Sequence, residues 1–554
     1  MVLSKNWIVQ TTDEIVKHIT KLRGPDSKIV CASGISPSGT IHLGNLREVM
    51  TVHLVSEELK YRGLNAIHLH SWDDFDRLRK IPSNVPPEFS AHIGKPLSDV
   101  PDPFGEYDSY ATRHIKEFEN ALAVLGISPQ YIRQSQAYRS GDYVEKIKIA
   151  ISRRLDIFYI LAQYQTREKE RSIEDRRDEY YPFRVYCENC NKDNTQIVKY
   201  ENDNSVIHYR CNNCGYNGNF SLDDKVPGKL SWKVDWPMRW SYAGVDFEPA
   251  GEDHSAPGSS FTVGQQIVRE IFDGHPPYFI GYAFVGMSGR SKISSSVGTS
   301  VSPKAALDIL EPSILRWLYI RRRVDQKFNI DFGQEVLRLY DEWDTFSSKV
   351  KAGNITQEDK RLFERCIQTS SGAINQATLP ISFRLLSSAA DITQGNTNQI
   401  LRIVSDHLES SPPKDILGKQ LEPRLTCAIN WATQYLPVDE CTVINPCFNS
   451  SIYSSLDDRT KQGIQILLDK LDDNWSLQGL TQLVYGIPKL LLGLSFENGP
   501  TPEVKIAQRN FFASIYRLIC SNETGPRLPT LFLSLGKERV RELLTRGNGK
   551  QKIA

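Results

Sequence analysis

The sequence of 554 residues has no long hydrophobic run and almost no net charge. No segment approaches the roughly 18 consecutive apolar residues of a membrane-spanning helix. Residues 1–10 also lack the basic and then apolar segments of a signal peptide. The formal net charge of +1 favours neither a basic nor an acidic partner, although a basic surface can still exist locally. We therefore expect a cytoplasmic protein with no membrane partner.

The cysteine pattern does not indicate a disulfide framework. Six of the ten cysteines are scattered, whereas four form two Cys-x-x-Cys pairs separated by twenty residues. Scattered cysteines favour a reducing compartment, and the paired ones have the spacing of a tetrahedral zinc site. A site with four thiolates has no open position, so we expect a structural role. The predicted ligands are Cys187, Cys190, Cys211 and Cys214.

The familiar phosphate-binding motifs are absent. No Gly-Lys pair is followed by Ser or Thr, as a P-loop requires, and no GxGxxG follows a strand. Instead, residues 34–45 form a Gly/Pro/Ser turn between an apolar strand and a helical pattern. His42 and Asn45 stand at the start of that helix, where the helix dipole favours a phosphate. An ordinary turn in which His42 caps the helix is the alternative.

A second turn-like segment, residues 286–298, is rich in Gly and Ser and contains Lys292. A flexible loop with one lysine can close over a polyphosphate, and the hydroxyls of Ser294 and Ser295 can add hydrogen bonds. A solvated Ser-rich linker is the alternative for this segment.

Hydrophobic periodicity predicts the fold. We expect a helix opened by a capping box at Thr11, then strand 28–32, a helix ending near Gly63 and strand 65–72. A strand–helix–strand unit indicates a doubly wound parallel sheet whose ligands bind at the carboxyl edge. We also predict helices over 110–125, about 142–171 and 263–272, and a strand over 278–285. Nearly all later periodicity is helical.

These patterns predict an α/β domain followed by all-α domains. The nucleotide-binding domain is Rossmann-like and is split by an insertion. The predicted units are the first half of that domain, the insertion with a zinc ribbon at 185–220, the second half and two helical domains. Their predicted bounds are 1–100, 101–228, 229–300, 301–385 and 386–554.

The two turns resemble the HIGH and KMSKS motifs of class I aminoacyl-tRNA synthetases. Further segments resemble class I lysyl-tRNA synthetases in particular, and the resemblance covers essentially the whole chain. The segments that carry it are 32–39, 42–49, 71–82, 232–240, 251–254, 525–527 and 535–540.

The resemblance implies ATP-dependent formation of lysyl-adenylate and transfer of lysine to tRNA(Lys), with Mg²⁺ accompanying ATP. It also implies a helical stem-contact domain at 301–385 and a helical cage at 386–554 that holds the anticodon. We assign the zinc ribbon to folding and RNA contact; the sequence leaves the oligomeric state open, with a monomer favoured. The implied catalytic residues are His42, Asn45, Lys292, Ser294 and Ser295. The implied ATP-binding residues are Ser38, Gly39, His42, Gly44, Asn45, Asp253 and Lys292. The implied lysine pocket contains Gly34, Ser36, Asp73, Asp74, Trp232, His254 and Tyr282, with Asp76 as a further candidate for the ε-ammonium group.

Three residues depart from the pattern of the family. Val297 and Glu252 stand where relatives often have lysine, and Ala283 stands where glutamate is common. Loss of cations near the triphosphate could weaken the use of ATP, which leaves open a slow or repurposed enzyme, or a diverged RNA-binding protein without activity. The enzymatic alternatives are a glutamyl or cysteinyl synthetase and a small nucleotidylyltransferase. A cysteinyl enzyme would carry its zinc near the HIGH turn, and the nucleotidylyltransferase would not need the long helical half.

Overall fold

The computed structural model describes most of the 554 residues. The described ranges are 6–24, 27–81, 85–164, 173–255, 258–287, 301–379, 381–408, 410–499 and 501–545.

A parallel sheet forms the first part of the molecule. Strands β1, β2 and β3 lie side by side in that order, with Ile29 opposite Ala66 and Leu69 opposite Gln130. Phe247 and Tyr278 extend the sheet beyond β1 through single parallel bridges. The elements are α1 (Trp7–Arg23), β1 (Ile29–Ile35), α2 (Leu43–Tyr61), β2 (Ala66–Trp72), α3 (Tyr110–Val124) and β3 (Gln130–Arg133). The prediction of a doubly wound parallel sheet is confirmed.

Helix α1 begins four residues earlier than the predicted capping box at Thr11. The side chain of Asn6 accepts a hydrogen bond from the Ile8 N–H at 3.0 Å and caps the helix. The hydroxyl of Thr12 is not a cap, because it donates to the Ile8 carbonyl inside the helix at 2.7 Å. The predicted start was therefore wrong.

The insertion combines short helices with small antiparallel sheets. The predicted helix over 142–171 is divided at Arg153, whose ψ of 20° ends one helix before the next begins; residues 165–172 lie outside the described ranges. Strands β5, β6 and β7 form the ribbon, and β4 pairs with β8. The elements are α4 (Gln134–Arg139), α5 (Val144–Ser152), α6 (Arg154–Gln163), α7 (Ile173–Asp178), β4 (Phe183–Val185), β5 (Thr195–Glu201), β6 (Val206–Cys211), β7 (Asn217–Ser221) and β8 (Gly228–Leu230).

The chain then returns to the parallel sheet. The predicted strand over 278–285 is replaced by two short strands, because the chain changes partners at Ala283, whose N–H donates to the Val324 carbonyl. Strand β10 pairs with β9, and β11 pairs with β12 (Phe328–Ile330) in the helical half. The elements are α8 (Trp232–Ala243), β9 (Ala250–Gly251), α9 (Ser260–Glu270), β10 (Gly281–Tyr282) and β11 (Val285–Met287).

Helices dominate the rest of the chain, as predicted. They are α10 (Pro303–Leu307), α11 (Pro312–Ile320), α12 (Glu335–Lys351), α13 (Gln357–Ile367), α14 (Phe383–Ile392), α15 (Thr397–His407), α16 (Lys414–Leu421), α17 (Arg424–Gln434), α18 (Ser450–Ser455), α19 (Asp458–Asp469), α20 (Leu477–Leu491), α21 (Pro502–Cys520), α22 (Leu528–Leu535) and α23 (Lys537–Leu544). The short strands among them are β12 (Phe328–Ile330), β13 (Gln368–Thr369) and β14 (Gly372–Ala373). None of the described helices is long and apolar enough to span a membrane. The domain bounds stay predictions.

Candidate active site

His42 and Asn45 form a reciprocal cap at the start of α2. The Asn45 N–H donates to His42 Nδ1 at 3.3 Å, and Asn45 Oδ1 accepts the His42 N–H at 3.1 Å. His42 is exposed, and partial withdrawal from water lowers its pKa. The same geometry therefore allows His42 to cap the helix and to take part in ligand binding.

The cap decides which atoms of these side chains remain able to donate. Because Nδ1 of His42 accepts a bond, the proton of the neutral ring sits on Nε2. The amide nitrogen of Asn45 likewise keeps two donors when Oδ1 is used by the cap. Two polar donors are therefore held at the positive end of α2, beside the turn that leaves β1.

Gly44 allows the ring of His42 to lie over the first turn of α2. A Cβ atom at position 44 would lie 2.8 Å from both Cε1 and Nδ1 of His42. Ser38 and Gly39 lie in the preceding turn, which is held by a hydrogen bond from the Tyr110 hydroxyl to the Ser38 carbonyl at 3.2 Å.

Glu48, one turn further along α2, connects two predicted pocket residues. Its Oε1 accepts the Gly34 N–H at 2.7 Å, and its Oε2 accepts the Tyr282 hydroxyl at 2.8 Å. The pKa of Glu48 is raised to about 8, chiefly by burial and to a smaller extent by the nearby charges of Glu248 and Asp73. The sequence analysis assigned no role to Glu48. Its position three residues after Asn45, on the same side of the helix, was the available signal.

The two predicted aspartates are both engaged in ion pairs. Asp73 is buried and bonds Arg239 at 2.7 Å. Asp74 is fully buried, and its carboxylate bonds Arg133 at 2.8 Å together with the N–H and hydroxyl of Ser135. Arg239 also bonds Asp235 at 2.5 Å.

The third candidate, Asp76, is held by a cation as well. It bonds the buried Lys229 at 2.6 Å, and Lys229 also lies 3.4 Å from Asp235. Each of the three candidate aspartates after β2 is therefore already paired with a cationic side chain.

Aromatic side chains of α8 form a wall beside this acidic network. Trp232 stacks on Trp236 with ring centroids 5.0 Å apart, and the ring of His254 meets Trp236 edge-on at 5.8 Å. The guanidinium group of Arg239 lies 5.3 Å from the centre of the Trp232 ring. Trp232 keeps 37% of its surface exposed, which leaves part of it accessible to a ligand.

A small cavity of about 30 Å³ lies behind this wall and is lined by Ser71, Gln134, Arg239 and Glu248, among others. Glu248 is buried and accepts a hydrogen bond from Trp240 Nε1 at 2.5 Å. Burial raises its pKa to about 6. Among the residues that the structure describes, neither Glu48 nor Glu248 forms an ion pair.

The structure describes only some of the remaining predicted residues. Ser36 is half-buried just beyond the end of β1. Glu252, at one of the departures, forms an ion pair with Lys327 at 2.8 Å, so a cation is still present near that position. Ala283 is buried. The following lie outside the described part of the chain: Lys292, Ser294, Ser295, Val297 and the side chain of Asp253.

The four cysteines converge as predicted. Their sulfur atoms all lie within 4.8 Å of one another, and the Sγ atoms of Cys187 and Cys214 are 3.7 Å apart, as are those of Cys190 and Cys211. Tetrahedral zinc with Zn–S bonds of about 2.3 Å places sulfurs about 3.8 Å apart, so the set fits zinc. His208 does not belong to the set, because it bonds Glu201 at 3.2 Å.

Comparisons with known proteins agree with these observations. A family model described as "tRNA synthetases class I (K)" matches residues 5–372. The lysine–tRNA ligase of Streptomyces coelicolor is 42% identical, with 97% of this chain and 98% of that protein covered. The enzymes with that name from Borreliella burgdorferi and Thermococcus kodakarensis are 33% and 32% identical, each with 96% of this chain and 98% of the relative covered.

The matches extend over nearly the full length of the chain, and the HIGH-like turn and the cysteine set occupy the places that the sequence indicated. The chain belongs to the class I lysyl-tRNA synthetase family.

Proposed function

We propose that the chain ligates L-lysine to tRNA(Lys), first forming lysyl-adenylate and pyrophosphate from lysine and ATP. The lysyl group then moves to the terminal adenosine of the tRNA with release of AMP. The observation that carries the proposal is the pair of donors at the start of α2, next to two carboxylates, Glu48 and Glu248, that form no ion pair within the described residues.

The proposed role of His42 and Asn45 is to stabilise the α-phosphate while the lysine carboxylate attacks it. Negative charge develops on the phosphate oxygens during this in-line displacement. The Nε2–H of His42 and the amide of Asn45 can donate to those oxygens, and each well-placed donor contributes about 3–4 kcal/mol. Lys292, with Ser294 and Ser295, is proposed to hold the leaving pyrophosphate.

The turn before α2 and the neighbouring loop are proposed to hold ATP. The residues assigned to this role are Ser38, Gly39, Gly44 and Asp253, in addition to His42, Asn45 and Lys292. Mg²⁺ bound with ATP would neutralise part of the triphosphate charge.

The proposed lysine pocket includes Glu48 as a partner for an ammonium group of the substrate. Gly34 and Tyr282 touch Glu48 directly. Asp73 shares the nearby network but already holds Arg239, and both oxygens of Asp74 are bonded to Arg133 and Ser135. Lysine carries two ammonium groups, and two carboxylates here, those of Glu48 and Glu248, have no ion pair within the described residues. The charges of these two carboxylates therefore match a substrate that carries two ammonium groups, as lysine does.

The remaining walls of the pocket are proposed to be Ser36, Trp232 and His254. The stacked rings of Trp232 and Trp236 can cover the methylene chain of lysine, which is apolar over four carbons. An aromatic face also attracts an ammonium group.

Zinc is proposed as a structural ion held by Cys187, Cys190, Cys211 and Cys214. When bound, it would fix two turns of the ribbon by four thiolate bonds. The helical half is proposed to contact the tRNA stem and anticodon, with the domain bounds predicted above. We place the reaction in the cytoplasm, because the cysteine pattern of the sequence, with one paired set assigned to zinc and six scattered residues, favours a reducing compartment, and we expect a monomer.

Lysine-dependent ATP–pyrophosphate exchange tests the proposal, with the other amino acids as controls and with or without total tRNA. Exchange with lysine alone would support both adenylation and the choice of amino acid. Exchange with a different amino acid would refute the substrate and retain the reaction. Absence of exchange under every condition would favour a non-catalytic RNA-binding protein.

A further inference from the structure

The first cysteine turn of the ribbon, residues 186–193, packs directly against the loop that follows β2. This turn is called the first knuckle below, and the described part of the loop, residues 73–81 and 85–99, is called the acidic loop. The hydroxyl of Tyr186, immediately before Cys187, donates to the Phe75 carbonyl at 2.6 Å in a buried position. The rings of Tyr186 and Phe75 are 5.1 Å apart.

Two further residues of the first knuckle bond the acidic loop. The Asp193 N–H donates to the Gly94 carbonyl at 3.0 Å, and its carboxylate pairs with Arg77 at 2.9 Å. The Asn191 amide donates to Asp99 at 2.8 Å. The side chain of Asp193 is only 7% exposed, so the carboxylate that pairs with Arg77 is shielded from water.

The acidic loop connects the first knuckle to the proposed amino-acid pocket. Its first residue, Asp73, bonds Arg239, which lies over the ring of Trp232. Backbone hydrogen bonds tie the two ends of the loop together, from Leu97 to Asp76 at 2.7 Å and from Ser98 to Asp74 at 2.8 Å. A shift of residues 94–99 would therefore move the aspartates at the start of the loop.

The shape of the first knuckle depends on its cysteines. Asn191 has a φ of 55°, a left-handed conformation that asparagine tolerates, and its N–H donates to the Cys187 carbonyl at 2.7 Å. Cys187 and Cys190 supply two of the four sulfurs of the metal set. Without an ion, these described sulfurs share only weak S–H contacts, so the backbone hydrogen bonds of the turn would have to hold its shape without the metal.

From these contacts we propose that the first knuckle is a brace for the amino-acid pocket, with Tyr186, Asn191 and Asp193 as positioning residues. The zinc site then acts on lysine binding through the acidic loop, in addition to shaping the ribbon. This inference rests on the proposed function for the identity of the amino acid, but the contact between knuckle and loop does not.

The test uses the full-length zinc-loaded protein with the double substitution Asn191→Gly and Asp193→Asn. Glycine keeps the left-handed backbone of residue 191, and asparagine keeps the size of residue 193, so the ribbon should retain its metal. Lys199→Ala is the matched control, because Lys199 pairs with Glu201 on the outer hairpin of the same ribbon. Zinc content, hydrogen exchange of residues 73–99 and the KM values for lysine and ATP are measured for each protein.

The double variant should keep its zinc, exchange amide hydrogens faster in residues 73–81 and show a KM for lysine about tenfold higher, as expected for loss of a hydrogen bond to a charged group. The KM for ATP should not change, and the Lys199→Ala protein should match the parent. Unchanged exchange in residues 73–81, with zinc retained, would overturn the brace. Equal increases in both KM values would also overturn it, because a general loss of structure would then explain the effect.

Failure of the proposed function would look different. The parent protein would then show no lysine-dependent exchange of pyrophosphate, whereas faster amide exchange in the acidic loop of the double variant would still support the brace. Removal of zinc from the parent protein by a chelator should reproduce the faster amide exchange in residues 73–81, and protection unchanged after removal would refute the link to the metal.

Discussion

Replacement of Glu48 by Gln should weaken lysine binding in a strongly pH-dependent way. Glutamine keeps an oxygen that can accept the Gly34 N–H but removes the charge that would bind an ammonium group. A hydrogen bond to a charged group contributes about 1.5–3 kcal/mol, which corresponds to a rise of about 10- to 150-fold in Kd for lysine. This full effect is expected only where Glu48 is ionised in the parent protein.

The pKa of Glu48 determines the pH range. Because that pKa is about 8 in the free protein, about one carboxyl group in a hundred is ionised at pH 6 and half at pH 8. A bound ammonium group favours the ionised form and lowers the pKa. The Kd for lysine should therefore fall about fifty-fold from pH 6 to pH 8 in the parent protein, with release of a proton on binding.

Isothermal titration with lysine, repeated in buffers of different ionisation enthalpy, measures both the Kd and the proton release. The Glu48→Gln protein should bind with a nearly constant Kd over this range and should approach the parent protein at pH 6. Titration with ATP serves as the control and should not differ between the two proteins. A variant that binds lysine as tightly as the parent at pH 8 would refute the assignment of Glu48.

Stability offers an independent check with the opposite sign. The folded-state pKa of Glu48 lies above its ordinary value of 4.5, so the folded protein holds a proton that the unfolded chain has lost between about pH 4.5 and 8. Stability from this group consequently falls as the pH rises through that interval. Without lysine, Glu48→Gln should raise the Tm at pH 8, and a lower Tm would contradict the burial argument.

Four further substitutions, at three positions, test the donors at α2 and the metal set. His42→Ala should lower lysine-dependent pyrophosphate exchange by about 10²–10³-fold through loss of one donor, whereas His42→Asn, which retains a cap acceptor, should show the same loss of rate with a smaller loss of Tm. Gly44→Ala should lower kcat in the same assay, because its Cβ would displace the His42 ring, and an unchanged kcat would remove the ring position from the mechanism. Cys211→Ser should reduce zinc from one ion per chain to a substoichiometric amount by elemental analysis, and full retention of zinc would exclude the four-cysteine site.

Much of the site was predictable from local sequence. The turn at residues 34–45 and the cap made by His42 and Asn45 involve residues close together in the chain, so their spacing alone indicates the start of a helix. The cysteine set was equally predictable from the sequence. Two Cys-x-x-Cys pairs separated by the length of a hairpin are typical of four ligands that bind one metal ion.

Two predictions of elements failed for different reasons, one local and one non-local. The capping box at Thr11 lost to Asn6, since the apolar residues Trp7 and Ile8 are buried and extend the helix towards the N-terminus. The predicted strand over 278–285 was divided because its hydrogen-bond partners come from two separate segments, β9 and β12, and no local pattern reports partners.

The sequence by itself determined the family, the parallel sheet, the position of the HIGH-like turn and the cysteine set, because each depends on residue types at short spacing. Only the tertiary structure decided which acidic groups face the pocket. Glu48 meets Tyr282 across 234 positions, and Asp73 meets Arg239 across 166. Those pairs depend on the order of strands in the sheet and on the packing of α8 against it, and the energy of burying a carboxylate is set by neighbours that are distant in the chain.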